Sequence, residues 1–228
     1  MLPRRPLETA APLIPPQATL ETLREAARGC RACPLWQHAT QTVFGEGAQH
    51  ARVVLVGEQP GDAEDRKGHP FVGPAGRVLD EALARAGIDR RMAYVTNVVK
   101  HFKWEPRGKR RIHSKPNVAE IRACIPWLQA ELALLRPRAL VCLGATAAQA
   151  LLGKDFRVTA HRGQLLPSEL APAVMATVHP SSLLRAPDPE SRRVETERFV
   201  ADLSVIGHLL REEAAGSSGR GLSRPDAA

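Results

Sequence analysis

The sequence lacks any apolar run long enough to cross a membrane as a helix, so no such span is expected. Its first residues hold two arginines without an apolar core segment, so they do not read as a secretory signal. Cysteine is scarce, four in 228 residues and unevenly spaced, which fits a reducing cytoplasm best. Only one C-x-x-C pair is present, Cys30 and Cys33, where paired zinc knuckles would show two. No internal repeat is visible, so a repeat array is not expected. No heptad and no leftover apolar stripe offers an oligomer seam, so a monomer is expected.

Positive charge is abundant. Lysine and arginine number 32 against 24 acidic residues, for a formal net charge of +8. A basic balance suits a polyanionic partner without specifying one. The distribution says more. Lys100, Lys103, Arg107, Lys109, Arg110, Arg111 and Lys115 fall close together, opposed only by Glu105, with Phe102 and Trp104 among them. Cations meet phosphates and rings stack on bases, so this stretch suits a nucleic-acid strand. A solvated basic loop is the plainer alternative.

A length of 228 residues allows one domain with a full core. Residues 1–17 are proline-rich and aperiodic and are expected to be a disordered leader. Residues 18–212 make a single domain, and residues 213–228, mostly small and polar, read as a disordered tail. Apolar runs at 53–56, 93–99, 139–143 and 173–178 read as buried strands. Helical patterns lie before, between and after them, at 19–28, up to Gly87, from Asn117 through Leu135, after Gly144, and at 189–210. Asn117 with Glu120 three residues on resembles a capping box. The basic stretch up to Pro116 and residues 157–166 read as loops. Strands alternating with helices predict an α/β fold of three layers, α/β/α, around a central four-stranded parallel sheet.

The first strand runs into Gly57-Glu58-Gln59-Pro60-Gly61-Asp62. The loop leaving a parallel strand sits at the carboxyl edge, where α/β proteins bind ligands. Gly57 and Gly61 let backbone approach a ligand, and Pro60 stiffens the turn, so Glu58 and Gln59 project from a rigid corner. A second Gly/Pro loop, residues 68–76, presents Phe71 as one wall of a flat slot, or else as a core plug. Asn97 and His179 lie at the ends of the second and fourth strands, on the same rim. Three polar groups and a ring converging there predict a pocket. Cys124 and Cys142 lie on apolar faces, as metal ligands with Cys30 and Cys33 or as small buried hydrophobes.

These loops, with the cysteine set, Thr96-Asn97-Val98-Val99-Lys100, Leu143-Gly144-Ala145-Thr146-Ala147 and His179-Pro180-Ser181, resemble the uracil-DNA glycosylase superfamily in its iron–sulfur, family 4 branch. The resemblance covers roughly residues 20 to 210. Lys109-Arg110-Arg111-Ile112-His113 looks like the signature of the UdgX subgroup, whose members bond covalently to uracil-containing DNA.

The resemblance implies a [4Fe–4S] cluster held by Cys30, Cys33, Cys124 and Cys142. It implies that Phe71 stacks on a flipped uracil and that Asn97 pairs with the edge of the base. His179 would hydrogen-bond the uracil O2 as charge develops there. Lys109, Arg110 and Arg111 would hold phosphates, and Ser181 and Ser182 would contact phosphate or cap a short helix. His113 would attack the deoxyribose C1′ in place of water. Glu58 would orient His113 or stabilise the cationic sugar, and Gln59 would fill the site or bind the water of hydrolysis. The expected activity is excision of uracil from DNA, single-stranded favoured and double-stranded accepted, followed by a covalent protein–DNA adduct. The alternatives are a conventional turnover glycosylase and a non-catalytic iron–sulfur nucleic-acid-binding protein.

Overall fold

The computed structural model describes residues 9–218. Its strands are β1 (Glu46–Gly47), β2 (Val53–Gly57), β3 (Ala93–Asn97), β4 (Trp104–Arg107), β5 (Arg110–His113), β6 (Ala139–Leu143), β7 (Leu165–Leu166) and β8 (Ala173–Thr177). Its α-helices are α1 (Leu20–Arg28), α2 (Asp62–Lys67), α3 (Pro74–Arg85), α4 (Val118–Leu135), α5 (Ala145–Leu152), α6 (Val158–His161), α7 (Pro180–Leu183) and α8 (Pro189–Ser218). No helix among the described residues is long and apolar enough to cross a membrane.

The four apolar runs become the parallel centre of the sheet, in the order β3-β2-β6-β8. Every residue of these strands is buried, as strands covered on both faces must be. Alternation along each strand feeds two cores. Val54, Val56, Tyr94, Leu140 and Cys142 pack with Leu23, Trp127 and Leu128 under α1 and α4. Val53, Leu55, Val95, Val141 and Met175 pack with Leu79, Leu83, Phe199 and Leu203 under α3 and α8. The three-layer α/β/α fold is therefore observed.

The sheet is wider than four strands, because short β1 and β7 add to its edges in antiparallel sense. Register aligns the carboxyl ends: Gly57 pairs with Asn97, and Leu143 with Thr177. The capping box at α4 forms, with Asn117 Oδ1 accepting from Glu120 N–H at 2.9 Å and Glu120 Oε2 from Asn117 N–H at 2.7 Å.

Local pattern misjudged several segments. Within the expected leader, Ala10 is fully buried and its N–H donates to the Ala123 carbonyl at 2.8 Å, so ordered chain begins before residue 18. Residues 1–8 and 219–228 lie outside the described residues. The last helix continues past Leu210 to Ser218, into the expected tail. Residues 157–166 hold α6 and edge strand β7. The basic stretch is not a loop but a hairpin, β4 paired to β5 around Gly108 at φ 60°. Charged residues fall on both faces of the hairpin and hid its strand character, since neither face has an apolar period.

Candidate active site

The aligned strand ends open into a cavity of about 660 Å³, lined by Glu58, Gln59, Phe71, Asn97, His113 and His179 among others. Gly57 is obligatory beneath it: a methyl group there would collide with Asn97 Oδ1 and the Phe71 ring. Phe71 adopts φ 56°, an uncommon conformation for a bulky residue. Gly76 permits it, because a side chain on α3 at that point would strike the Phe71 carbonyl. The Phe71 ring lies 26° from parallel to the His179 ring, with centroids 6.1 Å apart. Phe71 thus serves in both ways open to it, packing into the core below and walling the cavity above.

Asn97 is almost fully buried at the end of β3, and its backbone carbonyl accepts from Lys100 Nζ at 2.9 Å. Lys100 itself is buried in an ion pair with Glu131 at 2.5 Å, and also donates to Thr96 Oγ1 at 2.6 Å. Tyr94 OH and Gly45 N–H donate to the same Glu131 carboxylate. This network fixes the chain around Asn97 from below. The sequence held a signal for it, Glu131 in the middle of the apolar stripe of α4, that was not read.

His179 caps α7, and its Nδ1 accepts from Ser181 N–H at 3.1 Å. Nδ1 therefore carries the lone pair and Nε2 the proton. Burial lowers the imidazole pKa to about 4, so the ring is neutral at physiological pH. Ser181 Oγ lies 2.8 Å from His179 Nδ1, and Ser182 Oγ donates to the His179 carbonyl at 2.8 Å. Both serines hold the histidine and its turn. Arg185, which the sequence reading missed, donates to Ser181 Oγ at 3.0 Å and lines the cavity mouth.

Glu58 receives a short hydrogen bond from Thr146 Oγ1, and its Oε1 lies 3.0 Å from His113 Nε2. Burial pushes this carboxyl up, but the bonds from His113 and Thr146 and the nearby Lys115 charge outweigh it and hold it below its ordinary value. A carboxylate only accepts, so the proton in the contact belongs to Nε2. His113 is half-exposed on β5 and reaches the cavity from the hairpin.

The basic residues divide. Lys109 and Arg110 are exposed at the hairpin tip, free to meet phosphate. Arg111 is not free. It bonds Asp62 Oδ1 at 2.5 Å, Asp65 Oδ2 at 2.7 Å and Thr40 Oγ1 at 3.1 Å, beneath the Phe102 and Trp104 rings. Its expected phosphate contact is replaced by a structural one, since a largely buried guanidinium pairs with the fully buried Asp65 carboxylate.

Three of the four cysteines share one environment. Cys30 Sγ accepts from the Trp127 indole N–H at 3.4 Å, Cys124 Sγ from Lys100 N–H at 3.2 Å, and Cys33 from the Leu35 backbone N–H. Burial pushes the Cys124 thiol up to about 12, with Cys33 and Cys30 adding to the rise. An N–H aimed at each of these three sulfurs suits thiolate ligands of a cluster. Among the described residues, no three His, Cys, Asp or Glu side chains are arranged to hold a single metal ion. Cys142 does not share the pattern. It is fully buried on β6 between Val56 and Ala176, and burial alone pushes its thiol up to about 12.

Comparison with known proteins gives the same neighbourhood. The model of the uracil DNA glycosylase superfamily matches residues 44–204. A type-4 uracil-DNA glycosylase of Thermotoga maritima is 40% identical over 188 residues, 82% of this chain and 94% of the relative. One from Pyrobaculum aerophilum is 36% identical over 177 residues, 74% of this chain and 86% of the relative. A type-5 uracil-DNA glycosylase of Thermus thermophilus is 35% identical over 150 residues, but that covers 59% of this chain and 64% of the relative.

Proposed function

Because the chain belongs to the uracil DNA glycosylase superfamily, we propose that it excises uracil from DNA, single strands favoured, and captures the resulting sugar on His113. The observation that carries the second half is the 3.0 Å contact between His113 Nε2 and Glu58 Oε1 at the wall of the cavity. The first half is supported by the type-4 relatives and by the cavity's ring, amide and neutral imidazole.

A base must leave the helix to enter this cavity, and a single strand spares the unpairing. Phe71 stacks on the uracil face. The Asn97 amide offers a donor and an acceptor, matching a uracil carbonyl and N3–H, where cytosine offers the wrong edge. The C1′–N1 bond then breaks and its electron pair leaves with uracil. His179 Nε2–H meets the charge developing on O2, a term worth about 3–4 kcal/mol in comparable sites. The Glu58 carboxylate faces the cationic sugar. The lone-pair nitrogen of neutral His113 forms the bond to C1′, and the ring's other proton passes to Glu58. Histidine alkylated in this way does not leave readily, so each molecule acts once.

A [4Fe–4S] cluster in this chain would be held by Cys30, Cys33 and Cys124, with Cys142 as the weaker candidate for the fourth ligand. Its role would be structural, tying α1 to α4 beside the strand that carries Asn97.

The test is a denaturing gel of the protein mixed with a uracil-containing single-stranded oligonucleotide. A band that stays shifted after boiling in detergent is expected, and His113→Ser should remove it while uracil is still released. Strand cleavage by alkali without a shifted band would make the protein a conventional turnover glycosylase. Neither signal would return the non-catalytic binding protein.

A further inference from the structure

Gln59 borders the cavity beside Glu58, yet it is 7% exposed and its carboxamide is spent elsewhere. Its Oε1 accepts from Lys103 N–H at 3.0 Å. Its Nε2 donates to the Lys103 carbonyl at 3.1 Å and to the Ser114 carbonyl at 3.1 Å. Both amide hydrogens and the oxygen are engaged.

Lys103 and Ser114 form the open end of the hairpin, where Ser114 N–H donates to the Lys103 carbonyl at 3.0 Å. They stand one step beyond the Trp104–His113 pair. The primary amide of Gln59 thus acts as one more peptide unit bonded to the hairpin base. Ser114 follows His113, and Gln59 follows Glu58. Two adjacent side chains of one loop therefore hold two adjacent residues where β5 ends: Glu58 holds the His113 ring, and Gln59 holds the backbone next to it.

We infer that Gln59 is a positioning residue that fixes the reach of His113, and so decides whether the cationic sugar is captured by imidazole or by water. The inference rests on His113 being the nucleophile. It gives Gln59 a different task from filling the site or binding water, because the groups suited to water already bond the hairpin. Alanine would leave the hairpin base without this anchor. Glutamate, with the same shape, would keep the acceptor for Lys103 N–H but turn a carboxylate toward two carbonyls.

The experiment measures, for the full chain on a uracil-containing single strand, the ratio of detergent-stable adduct to alkali-labile abasic product. Gln59→Ala and Gln59→Glu should each lower that ratio by about 10- to 100-fold, the cost of displacing a reacting group by about 1 Å. Trypsin should also cut faster between Arg107 and Arg111 in both variants. Thermal melting identifies a variant that fails to fold, and the isosteric Gln59→Glu then carries the test. A wild-type adduct with an unchanged ratio in a folded variant overturns the inference and leaves the nucleophile standing. An equal loss of both products, or a lowered ratio with unaltered proteolysis, also overturns it. No adduct from the wild type defeats the nucleophile, and the inference with it.

Discussion

At the scale of single residues, His179 is poised by one backbone bond. Ser181 N–H occupies Nδ1, leaving Nε2–H as the donor that faces the cavity. His179→Ala should slow excision about 100- to 1000-fold in single-turnover assays, as loss of a preorganised donor does elsewhere. The same burial predicts a stability trend. The pKa falls from 6.5 to about 4 on folding, so between those values the unfolded chain binds a proton that the folded chain refuses. The contribution of this residue is therefore full above pH 6.5 and is lost as pH falls toward 4. Thermal melts across that window should show the decline, and His179→Asn should make it shallower. Asn97 separates reading from binding. Asn97→Ala should abolish action on uracil while salt-dependent affinity for DNA stays nearly intact, and equal loss of both would count against its role.

At the scale of the element, the β4–β5 hairpin is held from three sides. Gln59 bonds its base, Trp104 Nε1–H donates to the His38 carbonyl at 2.9 Å, and Arg111 reaches back to Asp62 and Asp65. Arg111→Ala should cost about 3–5 kcal/mol in denaturant unfolding, because it leaves Asp65 buried without its charged partner. It should also lower the adduct yield by loosening the strand that carries His113. Lys109→Ala and Arg110→Ala should behave differently. Each should leave unfolding unchanged, weaken DNA binding for every sequence, and reduce the slope of log affinity against log salt by about 1. Neighbours in one basic run thus have unlike surroundings, Arg110 exposed and Arg111 paired with Asp62 and Asp65.

At the scale of the whole molecule, the segment just after α1 is tied to α4 by the Trp127 indole N–H, which donates to Cys30 Sγ at 3.4 Å, as well as by apolar contacts. Cys124→Ser should remove visible charge-transfer absorbance and bound iron. It should also lower the melting temperature by about 10 °C, since 1 kcal/mol moves a domain of this size by about 2–4 °C. A colourless wild-type protein carrying one equivalent of zinc would defeat the cluster altogether.

The sequence by itself determined the layers and the rim. Runs such as Val53–Val56 and Ala139–Leu143 are apolar on both faces and have one stable location, the centre of a covered parallel sheet. Once those strands are parallel and in register, Glu58, Asn97 and His179 must share an edge, and the glycines around them mark where backbone and rings crowd together. What tertiary structure decided were the pairings between distant segments, which no local period records. Arg111 looked like a phosphate ligand until Asp62 and Asp65 came to it from α2. Gln59 was expected to fill the site or bind water, and its amide is bonded to the base of the hairpin. The thiols of Cys30, Cys33 and Cys124 each accept from an N–H of their own, a difference from Cys142 that sequence spacing could not show. In each case the residue type fixes what bonds are possible, and only the packing of elements far apart in the chain fixes which one is made.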